Sequence, residues 1–140
     1  MNRKRPQLPD LGDAELEVLT ILWDHGPLPV REVMNHLHAA GRAVAYTTVL
    51  TFLSRLETKK CVAADKSGIA YVYRPLIARE SIVHSRLHAL IAQLFDGSAC
   101  PLVLQLMQSE SFTQEEIAQL QAHIDALDAT AHSRKKEQDA

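Results

Sequence analysis

The chain has 140 residues, of which 46% are hydrophobic, with two cysteines and a formal net charge of −2. That length fits one domain, or one small domain with an appendage, and Cys61 and Cys100, far apart and without a CxxC partner, argue against a disulfide framework or a Cys-rich metal site. No apolar run approaches the roughly 18 residues of a membrane span, and the start, MNRKRPQLPD, has basic residues but no apolar segment, so a cytoplasmic location is expected.

Residues 1–9, rich in proline and basic groups, are expected to form a flexible arm. LGDAELEVLTILWD predicts the first helix, with Gly12 or Asp13 as cap, Leu11 and Leu16 spaced as a hydrophobic staple, and Val18, Leu19, Leu22 and Trp23 as the buried stripe. HGPLP breaks it. A second helix follows from about Pro29, with Val30, Val33, Met34 and Leu37 at i, i+3, i+4 and i+7, and ends near Gly41. AYTTVLTFLSRLETKK predicts a third, in which Val49, Phe52, Leu53 and Leu56 form the apolar face. Cys61–Ala64 and Ala70–Arg74 read as strands, joined by DKSG with Gly68 free to take positive φ.

Helix, helix, helix, hairpin is the order of a winged helix, and residues 10–75 are assigned to it. The outward face of the third helix supports a DNA-binding use of that fold. Thr47, Thr51, Ser54, Arg55 and Thr58 occupy it, with Thr48 and Leu50 at its edges. Threonine is a poor helix former, costing a few tenths of a kcal/mol per site. Short hydroxyls let a helix approach base edges closely, their methyl groups suit a thymine methyl, and Arg bridges guanine or clamps phosphate. Charge is also uneven: residues 42–74 hold Arg42, Arg55, Lys59, Lys60, Lys66 and Arg74 against Glu57 and Asp65, a net +4, whereas residues 75–140 carry −4. The expected interface is Arg42, Tyr46, Thr47, Thr48, Leu50, Thr51, Ser54, Arg55, Lys59, Lys60, Lys66 and Ser67, with Lys59, Lys60 and Lys66 as phosphate contacts that set affinity and its salt dependence.

Beyond Pro75 the pattern is helical. Residues 78–95 carry Val83, Leu87, Leu90, Ile91 and Leu94 as a stripe ended by Gly97; Pro101 opens a short helix bearing Leu106; and SFTQEEI supplies a capping box, Thr113 with Glu116, before a last helix with Ile117, Leu120, Ile124 and Leu127. Three such helices cannot build a core alone, so residues 76–129 are expected to pair with a second copy, leaving 130–140 as a disordered tail. His84 and His88, at i, i+4, have metal-binding spacing without an obvious third ligand, so no metal or other cofactor is assigned. GxSxG, HExxH and P-loop patterns are absent, and no enzymatic activity is expected.

LGDAELEVLTILW, VREV, AYTTVLTFLSRL running into KK, YVYRPLI and PLVLQLMQSESFTQEEIAQLQAHI together resemble the BlaI/MecI family of penicillinase and methicillin-resistance repressors over roughly residues 8–128. The resemblance implies a cytoplasmic homodimer of winged helices that represses transcription from a dyad-symmetric operator with TACA/TGTA-type half-sites, in an antibiotic-resistance setting. It places base and phosphate contacts on Thr47, Thr48, Leu50, Thr51 and Arg55; position 50 is basic in the best-known members. It also implies a membrane-bound sensor protease that triggers cleavage at an Asn-Phe bond, directly or indirectly, and the aligned bond here is Gln105–Leu106. The CxC cluster of a copper-responsive branch is missing. Two alternatives differ in class: a winged helix used for protein contacts, which needs neither Arg55 nor the +4 segment, and a metal-responsive regulator using His84 and His88.

Overall fold

The computed structural model describes residues 9–139. In chain order the elements are α1 (Asp13–His25), β1 (Leu28–Pro29), α2 (Val30–Ala39), α3 (Tyr46–Thr58), β2 (Val62–Asp65), β3 (Val72–Pro75), α4 (Arg79–Leu94), α5 (Ala99–Ser109) and α6 (Gln114–Gln138). The expected N-terminal arm lies outside the described residues except for Pro9. No single helix among the described residues is long and apolar enough to cross a membrane.

The chain forms two compact units that divide between Leu90 and Ile91, inside α4. In the first unit, the apolar stripes of the first three helices meet in one core. Val18, Leu19 and Leu22 from α1, Val33 from α2, and Val49, Leu53 and Leu56 from α3 are wholly buried, with Leu37, Cys61, Val62 and Tyr73 beside them. Trp23, Met34 and Phe52 are half-buried at its margin. Three helices and a small antiparallel sheet of order β1-β3-β2 make a winged helix.

β1 was not foreseen. Leu28 pairs with Tyr73 and Pro29 with Val72, and a two-residue strand is too short to show a period. Pro29 can sit there because β1 is an edge strand that does not need its missing N–H. The hairpin strands also start and end later than expected, so Ile69, Ala70 and Tyr71 belong to the connecting loop. Gly68 does not take positive φ. The Asp65 carboxylate shapes that turn instead, accepting from the Ser67 amide at 2.9 Å and the Ser67 hydroxyl at 2.6 Å. Positive φ appears at Gly41 (86°), where α2 is left behind, and at Lys60 (61°), at the corner from α3 to β2.

The expected boundary at 75/76 is displaced, because the start of α4 is bound into the first unit. The Trp23 indole donates to the Ile77 carbonyl at 2.8 Å, Arg79 pairs with Asp24, Ile82 is buried in the core, and Arg86 donates to the Leu11 carbonyl at 2.9 Å. These links were invisible locally, since they join residues 54 or more positions apart.

In the second unit, neither α5 nor α6 has a buried residue. α5 begins before Pro101, with Ser98 at its N-cap; the proline falls in the first turn, where a missing N–H costs nothing. The Thr113 capping box is complete: its hydroxyl accepts from the Glu116 amide at 3.1 Å, and the Glu116 carboxylate accepts from the Thr113 amide at 2.9 Å. Residues 130–138, expected to be disordered, continue α6. No Pro or Gly interrupts the run, Thr130 donates to the Ala126 carbonyl at 2.9 Å, and Lys135 and Lys136 lie in the last turn, where cations complement the helix dipole.

Candidate nucleic-acid interface

α3 starts without a side-chain cap, on Ala45 in extended conformation. With Val49, Leu53 and Leu56 in the core, Thr47, Thr48, Thr51, Ser54, Arg55 and Thr58 are all exposed, as periodicity required. Two of the hydroxyls are committed. Thr51 donates to the Thr47 carbonyl at 2.9 Å and Thr58 to the Ser54 carbonyl at 3.0 Å, so each presents its methyl group and oxygen lone pairs to an incoming ligand rather than a free O–H. Leu50 is half-buried and contributes, with Thr51, Ser54, Arg55 and Thr58, to a shallow groove along the helix.

The basic residues separate into two groups. Among the described residues Arg55 and Lys60 have no carboxylate within ion-pair reach and are exposed. Arg42 is exposed but bound to Glu17 at 2.8 Å. Lys66 lies 3.8 Å from Glu57 and 5.5 Å from the centre of the Tyr71 ring. Lys59 departs from expectation: its ammonium turns inward to the Glu15 carboxylate at 2.6 Å and the Asp10 carbonyl at 2.7 Å. It neutralises a buried glutamate and, itself half-buried, also lines the α3 groove beside Arg55 and Thr58.

The loop between β2 and β3 supplies the rest of this face. Hydrogen bonds from Ser67 hold the Asp65 carboxyl below the usual carboxylate range, with nearby Arg74 adding to the effect. The Ser67 hydroxyl is therefore engaged within the loop. Ile69 is fully exposed at the tip, and Ile69 and Tyr71 line a cleft with Arg31, Tyr46 and Leu50. Arg31 and Ile69 were missed by sequence reasoning. Arg31 belongs to a helix read only for its apolar stripe, whereas Ile69, an apolar residue in a turn of polar ones, was a usable signal. Behind this surface, burial raises the Cys61 thiol and the Tyr73 hydroxyl above their ordinary pKa values; for Cys61, Lys59 opposes the shift and Glu15 adds to it.

His84 and His88 meet edge to face with ring centres 4.3 Å apart. Among the described residues no group of three or more His, Cys, Asp or Glu side chains converges as a metal site.

A sequence model of the penicillinase repressor family matches residues 11–126. The chain is 28% identical to the penicillinase repressor of Bacillus licheniformis over 114 residues, which is 81% of this chain and 88% of that protein. It is 36% identical to the transcriptional regulator BlaI of Mycobacterium tuberculosis over 94 residues, covering 66% of this chain and 67% of that one. Among solved structures, the DNA-binding domain of the repressor BlaI aligns at 32% identity with a TM-score of 0.47, over 54% of this chain and 90% of that one. The family match runs from the residue before the α1 cap to well within α6 and so takes in elements of both units; the chain belongs to the penicillinase repressor family.

Proposed function

We propose that this protein is a sequence-specific transcriptional repressor that acts as a homodimer on a dyad-symmetric operator. The observation that carries the DNA-binding part is the outward face of α3, a row of short hydroxyl side chains around one exposed arginine, Arg55, that has no ion-pair partner among the described residues, flanked by an exposed loop. Such a face enters a major groove without the bulk of long solvated side chains. Arg55 reads guanine or clamps phosphate, Thr47, Thr48, Thr51 and Leu50 meet base edges and thymine methyls, and Arg31, Lys60 and Lys66 meet the phosphate backbone.

The homodimer part is supported by the apolar side chains that a single chain leaves in water. Val83 and Leu87 on α4, Leu106 on α5, and Ile117, Ile124 and Leu127 on α6 are exposed, while Leu90, Ile91 and Leu120 are only half-buried. A second copy covers them, and pairing two α3 helices one helical turn apart multiplies the affinity of each. Release follows by linkage: whatever separates or cuts the C-terminal helices lowers operator affinity. The Gln105–Leu106 bond lies inside α5, so cutting by a sensor protease requires that helix to unwind first.

Gel-shift titration of the protein against its own upstream intergenic DNA, at two salt concentrations and with an unrelated duplex as competitor, tests the reading. Selective binding that weakens with salt is expected, with Arg55→Ala losing roughly 10- to 100-fold in affinity, the value of one good arginine contact of about 1–3 kcal/mol. If intact protein and Arg55→Ala bind every duplex equally, this face does not read DNA.

A further inference from the structure

The end of α3 is tied to the middle of α4 through two residues that precede α1. Lys59, the residue that closes α3, donates from its ammonium to the Asp10 carbonyl at 2.7 Å and the Glu15 carboxylate at 2.6 Å. The next carbonyl along the chain, that of Leu11, accepts from the Arg86 guanidinium at 2.9 Å. Leu11 itself is buried in the core, so the Asp10–Leu11 segment is anchored and not a loose strand. Adjacent carbonyls thus take one cation from the DNA-facing helix and one from α4. α3 and α4 make little direct contact with each other, so the Asp10–Leu11 segment links two elements that otherwise meet through the shared core, where Ile82 of α4 is buried. Arg86 lies between Val83 and Leu87, two of the exposed apolar residues assigned above to the dimer contact.

We infer that Lys59 and Arg86 are positioning residues that, through Asp10–Leu11, set the angle between the DNA-facing helix and the Val83–Leu87 face of α4, and with it the half-site spacing a dimer accepts. The inference rests on the homodimer reading of the preceding section. Two helices bind a dyad together only when both are presented at the operator's spacing. A stiff link pays the ordering cost in advance and rejects other spacings, whereas a loose one tolerates them at lower affinity for the correct site. In this arrangement the Lys59 ammonium and the Arg86 guanidinium are both engaged within the protein, so each acts through its neighbours.

The test uses the intact chain and a dyad duplex selected by the wild-type protein from a randomised library, together with one isolated half of that duplex and versions whose spacer is two base pairs longer or shorter. Arg86→Met leaves the Glu15–Lys59 pair in place. Lys59→Met is paired with Glu15→Gln so that no carboxylate is stranded in the core. Both variants are expected to bind the isolated half within about twofold of wild type and with an unchanged salt slope, to bind the full dyad about tenfold more weakly, and to discriminate less between spacers. A salt slope smaller by about one in the Lys59 variant would make that residue a phosphate contact and overturn the inference. An unchanged spacer preference in Arg86→Met, in protein that still unfolds cooperatively, would overturn it too. Wild-type protein that is monomeric or selects no dyad removes the homodimer reading and this inference together; selection of a dyad by wild type with variants that behave identically removes the inference alone.

Discussion

Arg55 and Lys59 are one turn apart on the same stretch of chain, yet among the described residues one faces water without an ion-pair partner and the other neutralises a buried glutamate. Residue type and spacing were legible in the sequence for both; the sign of their roles was not, because Glu15 is 44 positions from Lys59. Asp65 gives a test at the same scale. Its carboxyl is lowered by the Ser67 hydrogen bonds, so the order it lends the loop is fully present above its unfolded value, near 3.8, and is lost as pH falls through the lower folded value. The Ser67 amide resonance should therefore titrate in acid, below pH 3.8, and Asp65→Ala should abolish that titration. In the core, Leu53 is wholly buried, and Leu53→Ala should cost about 2–5 kcal/mol in urea unfolding, with the dependence on denaturant unchanged. Thiol reagents should modify exposed Cys100 in the native protein and reach buried Cys61 only on unfolding.

Among the elements, the helices were read well because each announces itself locally. The stripe of α1, the stripe of α2 and the capping box of α6 all appeared where period and cap chemistry put them. The sheet was read less well: β1 is two residues long and exists only because β3 offers it a partner. At the far end, polarity was mistaken for disorder in residues 130–138, where helix propensity and two basic residues in the last turn continue α6. Carbon chemical shifts of residues 130–138 should be helical, and coil values there would contradict the structure. Thr113→Ala should raise amide exchange in the first turn of α6, at a cost of about 1 kcal/mol, while leaving the first unit untouched.

For the whole molecule, the contrast between the two units is the instructive fact. The first closes a core on itself; the second spreads its leucines, isoleucines and valines over helices with no buried residue. The homodimer proposed above accounts for that contrast, and on that reading stability depends on protein concentration. Replacing Ile117 and Ile124 together by Asp should yield a monomer by sedimentation, with operator binding weakened at least tenfold and the first unit still folded. Truncation after about residue 100 should act in the same direction. A truncated chain that binds as tightly as the intact one would break the link between the C-terminal helices and DNA affinity.

By itself the sequence determined the order of elements, the buried stripes, the outward face of α3 and the family resemblance, because these follow from periodicity and from motifs a few residues long. Only the tertiary structure decided which cations remain free, that α4 begins inside the first unit, and that Asp10 and Leu11 join α3 to α4. The physical reason is the range of the interaction. Hydrophobic patterning and capping act within a turn or two of helix, whereas an ion pair or a hydrogen bond to a distant carbonyl exists only once the core has brought the two segments together.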